Sequence, residues 1–286
     1  SRDCCPVCWA SAGAVVGGIN RQHLPLQVCP SACRSASQSM HWRWIPPLIA
    51  DGATQMAVDR WMLQHLIAGG APVLRLYHWA RPTLSLGVHQ RRLEPHWAAL
   101  VEEGLIELVR RPTGGRAVLH AGEITYALVC HPAARRRQEA YGQACRWLQD
   151  AFATLGQPLR FGLDQPWQAH TRSSCFASGT AADLVHADGA KRIGSAQLWR
   201  GPALLQHGSL LLQPDPCLWR RVFAEDPPAL APLPATAQAD GLVLQLRASA
   251  ERCLCNGPLH DQPLTPAEWQ AVEQIRAEQQ QQQQLG

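Results

Sequence analysis

The stretch LVHADGAKRIGSAQLWRGPALLQHGSLLL, residues 184–212, decides the fold of this chain. Asp188-Gly189 lies between two strand-like runs, and this dipeptide is a strong signal for a two-residue hairpin turn. A third apolar run, residues 203–212, follows and is expected to extend the same sheet. Because hairpins connect antiparallel neighbours, this stretch predicts a mainly antiparallel sheet.

Outward from these strands, helix and strand patterns alternate from Trp42 onward. Residues 138–155 place apolar side chains at spacings of three and four, the period of an amphipathic helix, whereas residues 83–89 alternate with the period of a strand. We therefore predict an α+β fold, with a mixed, mainly antiparallel β-sheet flanked by α-helices. Further helices are predicted at 54–68 and 95–104, and further strands at 73–79, 105–110 and 123–130.

Composition excludes several classes of protein. The chain has 286 residues, 46% of them hydrophobic, so it can bury a sizeable core. No window holds 18 uninterrupted apolar residues, so we expect no membrane span. The net charge of +4 is too small, and the arginines are too scattered, to indicate nucleic-acid binding. We expect a soluble, cytoplasmic protein whose basic surface could suit an acidic protein partner.

Residues 1–39 differ from the rest of the chain, because they hold five of its eleven cysteines and show no sustained helix or strand period. Cys5-x-x-Cys8 and Cys29-x-x-x-Cys33 could ligate zinc, but no strand or knuckle pattern surrounds them. We expect instead a disordered extension or translated upstream sequence, dispensable for folding and activity, and no bound metal.

The main domain is expected at residues 40–258, followed by a C-terminal helix and Gln-rich tail at 259–286. Thr265-Pro266-Ala267-Glu268 supplies an N-cap, a proline at the first helical position and a capping glutamate, which together predict where this last helix begins. Residues 214–234 are rich in proline and are predicted to form a loop or linker.

The stretch RRPTGGRAVLH, residues 110–120, joins two predicted strands. Its glycine pair allows positive backbone torsions and close approach of a ligand, and its arginines and amides favour an anionic or strongly polarised group. It matches neither a P-loop nor a dinucleotide fingerprint. An ordinary hairpin turn with solvated arginines is the alternative. The candidate binding residues in this stretch are Arg111, Thr113, Gly114, Gly115, Arg116 and His120.

Lys191 is the only lysine among the 26 Lys and Arg residues. An ammonium can titrate when it is desolvated, whereas a guanidinium cannot release its proton, so this position indicates a need for lysine. Nearby, Gly194, Ser195 and Ala196 leave room for a ligand beside the strand. His207 is flanked by apolar residues and is either a binding residue or a core histidine.

Cys175 lies in the polar segment Ser173-Ser174-Cys175-Phe176. A cysteine in a loop of small polar residues is exposed enough to react, so Cys175 is a candidate nucleophile. A surface thiol without function is the alternative. Cys130 and Cys145 lie instead in apolar periodic runs and are expected to be inert core thiols.

At these positions the sequence resembles the biotin/lipoate ligase superfamily, and most closely the octanoyltransferases and lipoate-protein ligases of lipoic acid metabolism. Several motifs occur in the family's order between residues 42 and 212, which is more specific than any one of them. They are Trp42-Arg43-Trp44-Ile45, Gln55-Met56-Ala57-Val58-Asp59, Leu84-Ser85-Leu86-Gly87, the turn at 110–116, Cys175-Phe176, the Gly-x-Lys-x-x-Gly-Ser-Ala-Gln run at 189–197 and Gln206-His207-Gly208-Ser209.

The resemblance implies both a fold and a reaction. In the octanoyltransferases, the cysteine of the Cys-Phe motif takes the acyl chain as a thioester and the lysine of the Gly-x-Lys motif acidifies it, which assigns these roles to Cys175 and Lys191. The glycine-rich turn lines the acyl site. The implied reaction moves an octanoyl (or lipoyl) group from acyl carrier protein to a lysine of a lipoyl-domain protein, with no cofactor and no metal.

Two alternatives stay open. The first is an ATP-dependent lipoate-protein ligase, which would need ATP and Mg and in which Cys175 would be incidental. The second is a non-catalytic module that binds an acyl group or a carrier protein. The presence of Cys175 and the short C-terminal region favour acyl transfer.

Overall fold

The structure, a computed structural model, describes residues 41–134, 136–162, 183–238 and 240–284. Its helices are α1 Gly52–Ile67, α2 Pro95–Glu102, α3 Arg137–Thr154, α4 Pro216–Phe223, α5 Asp240–Cys253 and α6 Pro266–Gln284. Its strands are β1 Trp42–Ala50, β2 Val73–Trp79, β3 Thr83–Leu86, β4 Glu107–Arg110, β5 Val118–His120, β6 Glu123–Cys130, β7 Arg160–Phe161, β8 Leu184–Val185, β9 Lys191–Arg200, β10 Ala203–Leu211 and β11 Leu259–Asp261. No helix within the described ranges has both the length and the apolarity needed to cross a membrane.

The strands form a large and a small sheet. The large sheet has the order β11-β1-β2-β6-β10-β9-β8-β7, and the small sheet has the order β4-β3-β5. β1 pairs in parallel with β11 and β2, and β3 with β4, whereas β6, β9 and β10 have antiparallel neighbours. The predicted α+β fold with a mixed, mainly antiparallel sheet is confirmed. Two of the parallel pairs are connected by helical crossovers, because α1 lies between β1 and β2 and α2 lies between β3 and β4. The hairpin signals in the sequence did not predict these crossovers.

Helices cover both faces of the large sheet. One face packs against α3 and α5, and the other packs against α1 and α6. The small sheet packs against α2 and α4 in a third apolar cluster. Because helices cover both of its faces, the central strand pair β6 and β10 is buried along its whole length. Side chains on these two strands are therefore held in a fully packed environment.

The hairpins predicted from residues 184–212 are confirmed. β8, β9 and β10 are antiparallel neighbours in chain order. In the first turn, Gly189 has φ +89°, a conformation that favours glycine, and the Asp188 carboxylate accepts a hydrogen bond of 2.9 Å from the backbone N–H of Ala190. The turn therefore fixes the register that places Lys191 at the start of β9.

The prediction of a loop or linker at residues 214–234 is wrong in its first half, which contains α4. The Asp215 carboxylate caps this helix by accepting from the backbone N–H groups of Cys217 and Leu218, and Pro216 occupies its first turn. A proline at the first helical position has no N–H that needs a partner, so it begins the helix instead of preventing it. The buried side of α4 then packs against the small sheet.

β11 begins directly after position 258 and is an edge strand of the large sheet. β11 pairs with β1 in a register that aligns Trp42 with Leu259. The predicted capping box at the start of α6 is confirmed, because the backbone N–H of Thr265 donates to Glu268 Oε2 at 2.8 Å and the N–H of Glu268 donates to Thr265 Oγ1 at 3.3 Å. α6 continues through the glutamines to Gln284.

Arg43 of β1 ties α6 to the sheet. Its guanidinium is buried and donates two hydrogen bonds to the Glu268 carboxylate, at 2.8 and 2.9 Å. Two further hydrogen bonds of 2.8 Å reach the carbonyl oxygens of Gln262 and Pro263. The hydrogen bonds from Arg43 hold the pKa of Glu268 at about 2, against an ordinary value of 4.5. This fork is the main polar link between the first strand and the last helix.

Replacing Glu268 by Gln should lower the free energy of unfolding at pH 7 by about 1 kcal/mol, because a charge-assisted pair becomes a neutral one. The folded-state pKa of Glu268 is depressed, so its contribution is fully present above pH 4.5 and is lost as the pH falls towards 2. Urea unfolding of the two proteins between pH 7 and 2 should therefore give a difference that shrinks to zero. The matched control is Glu273→Gln, an exposed α6 carboxylate beside Arg276, which should change little. A pH-independent difference would contradict the ion-pair account.

Candidate active site

A cavity opens where the small sheet faces strands β2, β6, β9 and β10 of the large sheet. Its wall contains the greater part of the predicted binding residues. These are Arg111, Gly114, Gly115, His120, Gly194, Ser195, Ala196 and His207. The other wall residues are Met56, Tyr77, Trp79, Ser85, Val118, Thr125, Gly208 and Ser209. The cavity wall thus combines apolar and aromatic side chains with hydrogen-bonding groups.

Arg111 organises the turn between β4 and β5. Its buried guanidinium donates to the carbonyl oxygens of Gly114 at 2.8 Å, Arg116 at 2.7 Å and Ser85 at 2.8 Å. Gly115 has φ +99°, in agreement with the prediction that the glycine pair allows positive backbone torsions. The alternative of an ordinary turn with solvated arginines is excluded for Arg111. Arg116 takes part through its carbonyl oxygen and is absent from the cavity wall.

Small residues let β9 and β10 approach the cavity closely. A Cβ on Gly208 would lie 2.6 Å from Ser195 Oγ and 2.7 Å from the carbonyl oxygen of Gly194, so only glycine fits there. Ser195 Oγ in turn lies 2.7 Å from the hydroxyl of Tyr126 on β6. These contacts fix the wall formed by residues 194–196, and the room for a ligand beside them stays a prediction.

His207 on β10 connects the two sheets. Its Nδ1 lies 2.7 Å from Asp59 Oδ2 and its Nε2 lies 2.6 Å from Thr113 Oγ1. Asp59 on α1 also accepts from Arg75 at 2.6 Å, and both of those side chains are fully buried. Burial raises the pKa of Asp59, but Arg75 and His207 lower it, and the resulting pKa is below its ordinary value. Thr113 does not line the cavity itself. Its hydroxyl contacts His207, which does, and so helps to hold that ring in place.

His120 on β5 makes a second, similar set of contacts. Its Nε2 lies 2.8 Å from Ser85 Oγ, and its Nδ1 lies 2.6 Å from Glu123 Oε1. The imidazole stacks on Trp79, with 4.0 Å between ring centroids. The Trp79 indole N–H donates to Thr125 Oγ1 at 2.8 Å and to Glu123 Oε1 at 3.1 Å. The orientation of this histidine is therefore fixed from three sides.

Lys191 begins β9 and is buried, with 3% of the residue exposed. Its Nζ lies 2.9 Å from Asp183 Oδ1, and the Asp183 side chain is equally enclosed. A plain surface charge is thereby excluded at this position. A buried ammonium held by a carboxylate can act on neighbouring groups with little screening by solvent.

Cys175 lies outside the described residues, so its role as nucleophile stays a prediction. Two other predictions about thiols are confirmed. Cys130 and Cys145 are buried in the core, and burial raises the pKa of each thiol to about 12. Neither can supply thiolate at neutral pH. Within the described ranges, no cluster of His, Cys, Asp and Glu side chains is arranged to hold a metal ion.

Sequence reasoning did not single out Asp59, Ser85 and Glu123 as site residues, although each contacts a predicted histidine. Asp59 and Ser85 fell within the quoted motifs, without an assigned role. One signal was available, because Asp59 is a carboxylate on the apolar, buried side of α1, and a buried charge needs a partner.

The chain is similar to known proteins of one family. The chain matches the family model for the lipoyl protein ligase A/B catalytic domain over residues 51–229. It is 40% identical over 179 residues to octanoyltransferase LipM of Carboxydothermus hydrogenoformans, which covers 61% of this chain and 66% of that protein. It is 35% identical over 178 residues to octanoyltransferase LipM of Moorella thermoacetica, covering 60% and 65%. The chain thus spans just under two thirds of the length of these relatives.

Solved structures share the fold at low sequence identity. A T. acidophilum protein described as a lipoate protein ligase with bound lipoic acid has a TM-score of 0.69 and 18% identity, covering 84% of this chain and 96% of that chain. Lipoate-protein ligase A bound with ATP has a TM-score of 0.68 and 19% identity, covering 83% and 95%. At this identity, the likeness shows the fold alone.

Proposed function

The chain belongs to the lipoyl protein ligase A/B catalytic domain family, and on that premise we propose that it is an octanoyltransferase of protein lipoylation. It moves an octanoyl (or lipoyl) group from acyl carrier protein to a lysine of a lipoyl-domain protein, through a thioester on Cys175. The relatives named octanoyltransferase LipM support this assignment. No cofactor or metal enters the reaction.

The observation that carries the proposal is the cavity between the two sheets. Met56, Tyr77 and Trp79 give it a surface on which an apolar acyl chain can pack. The backbone of Gly114 and Gly115, in the turn that Arg111 organises, also lines the cavity and offers polar groups to a carbonyl. An acyl chain that ends in a thioester has this combination of an apolar body and one polar end.

Cys175 and Lys191 supply the chemistry of the first transfer. A free thiol has a pKa of about 8.5, so only a few per cent is thiolate at neutral pH, and a neighbouring ammonium increases that fraction. The Cys175 thiolate attacks the carbonyl of the acyl carrier thioester. A new C–S bond forms, and the carrier leaves as its own thiol after taking a proton. Asp183, 2.9 Å from the Lys191 ammonium, holds that charge in one position.

In the second transfer, the amine of an acceptor lysine attacks the Cys175 thioester. A C–N bond forms, the C–S bond breaks, and the cysteine returns to its starting state. The acceptor is a lipoyl-domain protein. The structural study of a Thermoplasma acidophilum lipoate protein ligase together with its E2 lipoyl domain supports an acceptor of this kind.

A second candidate function is ATP-dependent ligation of lipoate or octanoate. It is favoured by the fold shared with a lipoate-protein ligase A that binds ATP. It would need ATP and Mg and would make Cys175 incidental. A module that only binds the acyl group or its carrier is the third possibility.

One assay separates these functions. The full chain is incubated with octanoyl carrier protein and an apo lipoyl domain, with and without ATP and Mg, and also with free octanoate in place of the carrier. Intact mass of the lipoyl domain reports the product. We expect octanoylation from the carrier without ATP. Product only from free octanoate with ATP would establish the ligase, and no product under any condition would leave a binding module.

A further inference from the structure

Two carboxylate–histidine–hydroxyl chains meet the cavity, and the proposed transfer uses neither. The Ser85 relay consists of Ser85, His120 and Glu123. The Thr113 relay consists of Thr113, His207 and Asp59. In both, a carboxylate contacts Nδ1 of a histidine, and Nε2 of the same ring contacts a hydroxyl, within hydrogen-bond distance. This is the arrangement of nucleophile, base and orienting acid that activates a serine in acyl-transfer enzymes.

The Ser85 relay has the geometry for proton transfer. Glu123 Oε1 lies 2.6 Å from His120 Nδ1, and a carboxylate at that nitrogen favours the tautomer with its proton on Nδ1, which leaves Nε2 as the acceptor. The Ser85 hydroxyl lies 2.8 Å from that nitrogen. Arg111 Nη1 lies 3.2 Å from Ser85 Oγ, so a cation stands beside the nucleophile, where it favours loss of the hydroxyl proton. The base, the nucleophile and an electrostatic stabiliser are in contact before any substrate arrives.

The charge on each carboxylate distinguishes the two relays. Asp59 forms an ion pair with Arg75 at 2.6 Å, so its carboxylate already has a buried cationic partner besides His207. Glu123 accepts instead from neutral donors besides His120, namely the Thr125 hydroxyl and the Trp79 indole N–H. Glu123 can therefore stabilise the imidazolium that forms when a histidine takes a proton.

The position of the hydroxyl also separates them. Ser85 and His120 both line the cavity, whereas Thr113 lies behind the wall described above. Ser85 carries its hydroxyl on a primary carbon, and it stands on β3, whose four residues are all buried. The Thr113 relay therefore fits a structural link between the sheets, and the Ser85 relay fits chemistry inside the cavity.

We propose that Ser85, with His120 as base and Glu123 as orienting carboxylate, is a second nucleophile of this cavity and gives the protein an acyl-ester hydrolase activity. Ser85 Oγ attacks the carbonyl of an activated acyl ester or thioester while His120 Nε2 takes its proton. The bond to the leaving group breaks, and His120 returns the proton to that group. Water then attacks the acyl-serine in the same way, which releases the carboxylic acid and restores Ser85.

The test uses the full chain with Cys175→Ala, so that no thioester can form at that position, and p-nitrophenyl octanoate as the probe. We expect steady release of p-nitrophenol. Adding Ser85→Ala should reduce the rate at least about a hundredfold, and His120→Gln should do the same, because nucleophile and base act as one unit. Ser249→Ala is the matched control, since it removes a buried serine hydroxyl in α5, away from the cavity.

A labelling measurement covers the case in which Ser85→Ala fails to fold. The Cys175→Ala chain, with Ser85 intact, is treated with a fluorophosphonate probe, and the modified peptide is identified by mass spectrometry. We expect the label on Ser85, and its loss in the His120→Gln variant. Turnover that persists in folded Ser85→Ala, or no turnover together with no label on Ser85, would overturn the proposal. Octanoylation of a lipoyl domain by the Cys175 protein is scored separately, so either proposal can fail without the other.

Discussion

Replacing Cys175 by Ser should leave the fold intact and abolish the acyl-enzyme that octanoyl carrier protein forms at position 175. A hydroxyl is far less acidic than a thiol, and an ammonium alone cannot convert it into a useful nucleophile. Peptide mass spectrometry after incubation with the carrier should show an octanoyl adduct at position 175 of the unaltered protein and none at that position in the variant. Transfer to the lipoyl domain should disappear with it.

The control for this experiment is Cys217→Ser. Cys217 is an exposed thiol on α4 and lies away from the cavity wall, so its loss tests whether any accessible cysteine can carry the acyl group. We expect normal transfer in that variant. Turnover equal to the unaltered protein in Cys175→Ser would remove the thioester mechanism and favour the ATP-dependent ligase.

Lys191→Arg should raise the pKa of the Cys175 thiol and slow both its alkylation and acyl transfer. Arginine keeps the charge but spreads it over a broad planar group with a different reach, in a site where the lysine is enclosed. Alkylation and transfer should fall by about tenfold for each pKa unit of thiolate stabilisation that is lost. The rate is measured against pH by peptide mapping, with buried Cys130 and Cys145 as unreactive internal references.

Removing the charge altogether should have a larger effect on the thiol. Lys191→Ala would also leave the buried Asp183 carboxylate without its ammonium partner, which costs about 3–5 kcal/mol of stability. The double variant Lys191→Met with Asp183→Asn avoids this, because it removes both charges together. An unchanged alkylation profile of Cys175 in folded variants would show that Lys191 does not tune the thiol and would leave substrate binding as its role.

The sequence predicted the fold best where one local pattern decides it. The strands at β2 and β6 and the capping box at Thr265 follow from periodicity and turn chemistry, and their observed bounds agree closely with the predictions. β1 was not predicted, because Pro46 and Pro47 interrupt its pattern. In the structure they occupy an irregularity in the β1–β2 register, where a strand can tolerate the missing N–H groups.

The candidate site was predictable only in part, for a related reason. The glycine-rich turn and the residues at 194–196 can be recognised from local composition. Both segments line the cavity. The partner of His207 is 148 residues away in the chain, so no spacing rule could identify Asp59. Relays built across two sheets depend on tertiary packing, which a single sequence does not encode in any short window.

The pairing of β1 with β11 has a consequence for how this protein is made. β1 aligns Trp42 with Leu259, so one edge of β1 stays unpaired until synthesis has reached residues 259–261. Arg43 likewise has no ion-pair partner in Glu268 until that residue has been synthesised. An unpaired strand edge can associate with other chains. Between the synthesis of β1 and that of β11, the nascent chain therefore carries an open strand edge through which it can associate with other chains.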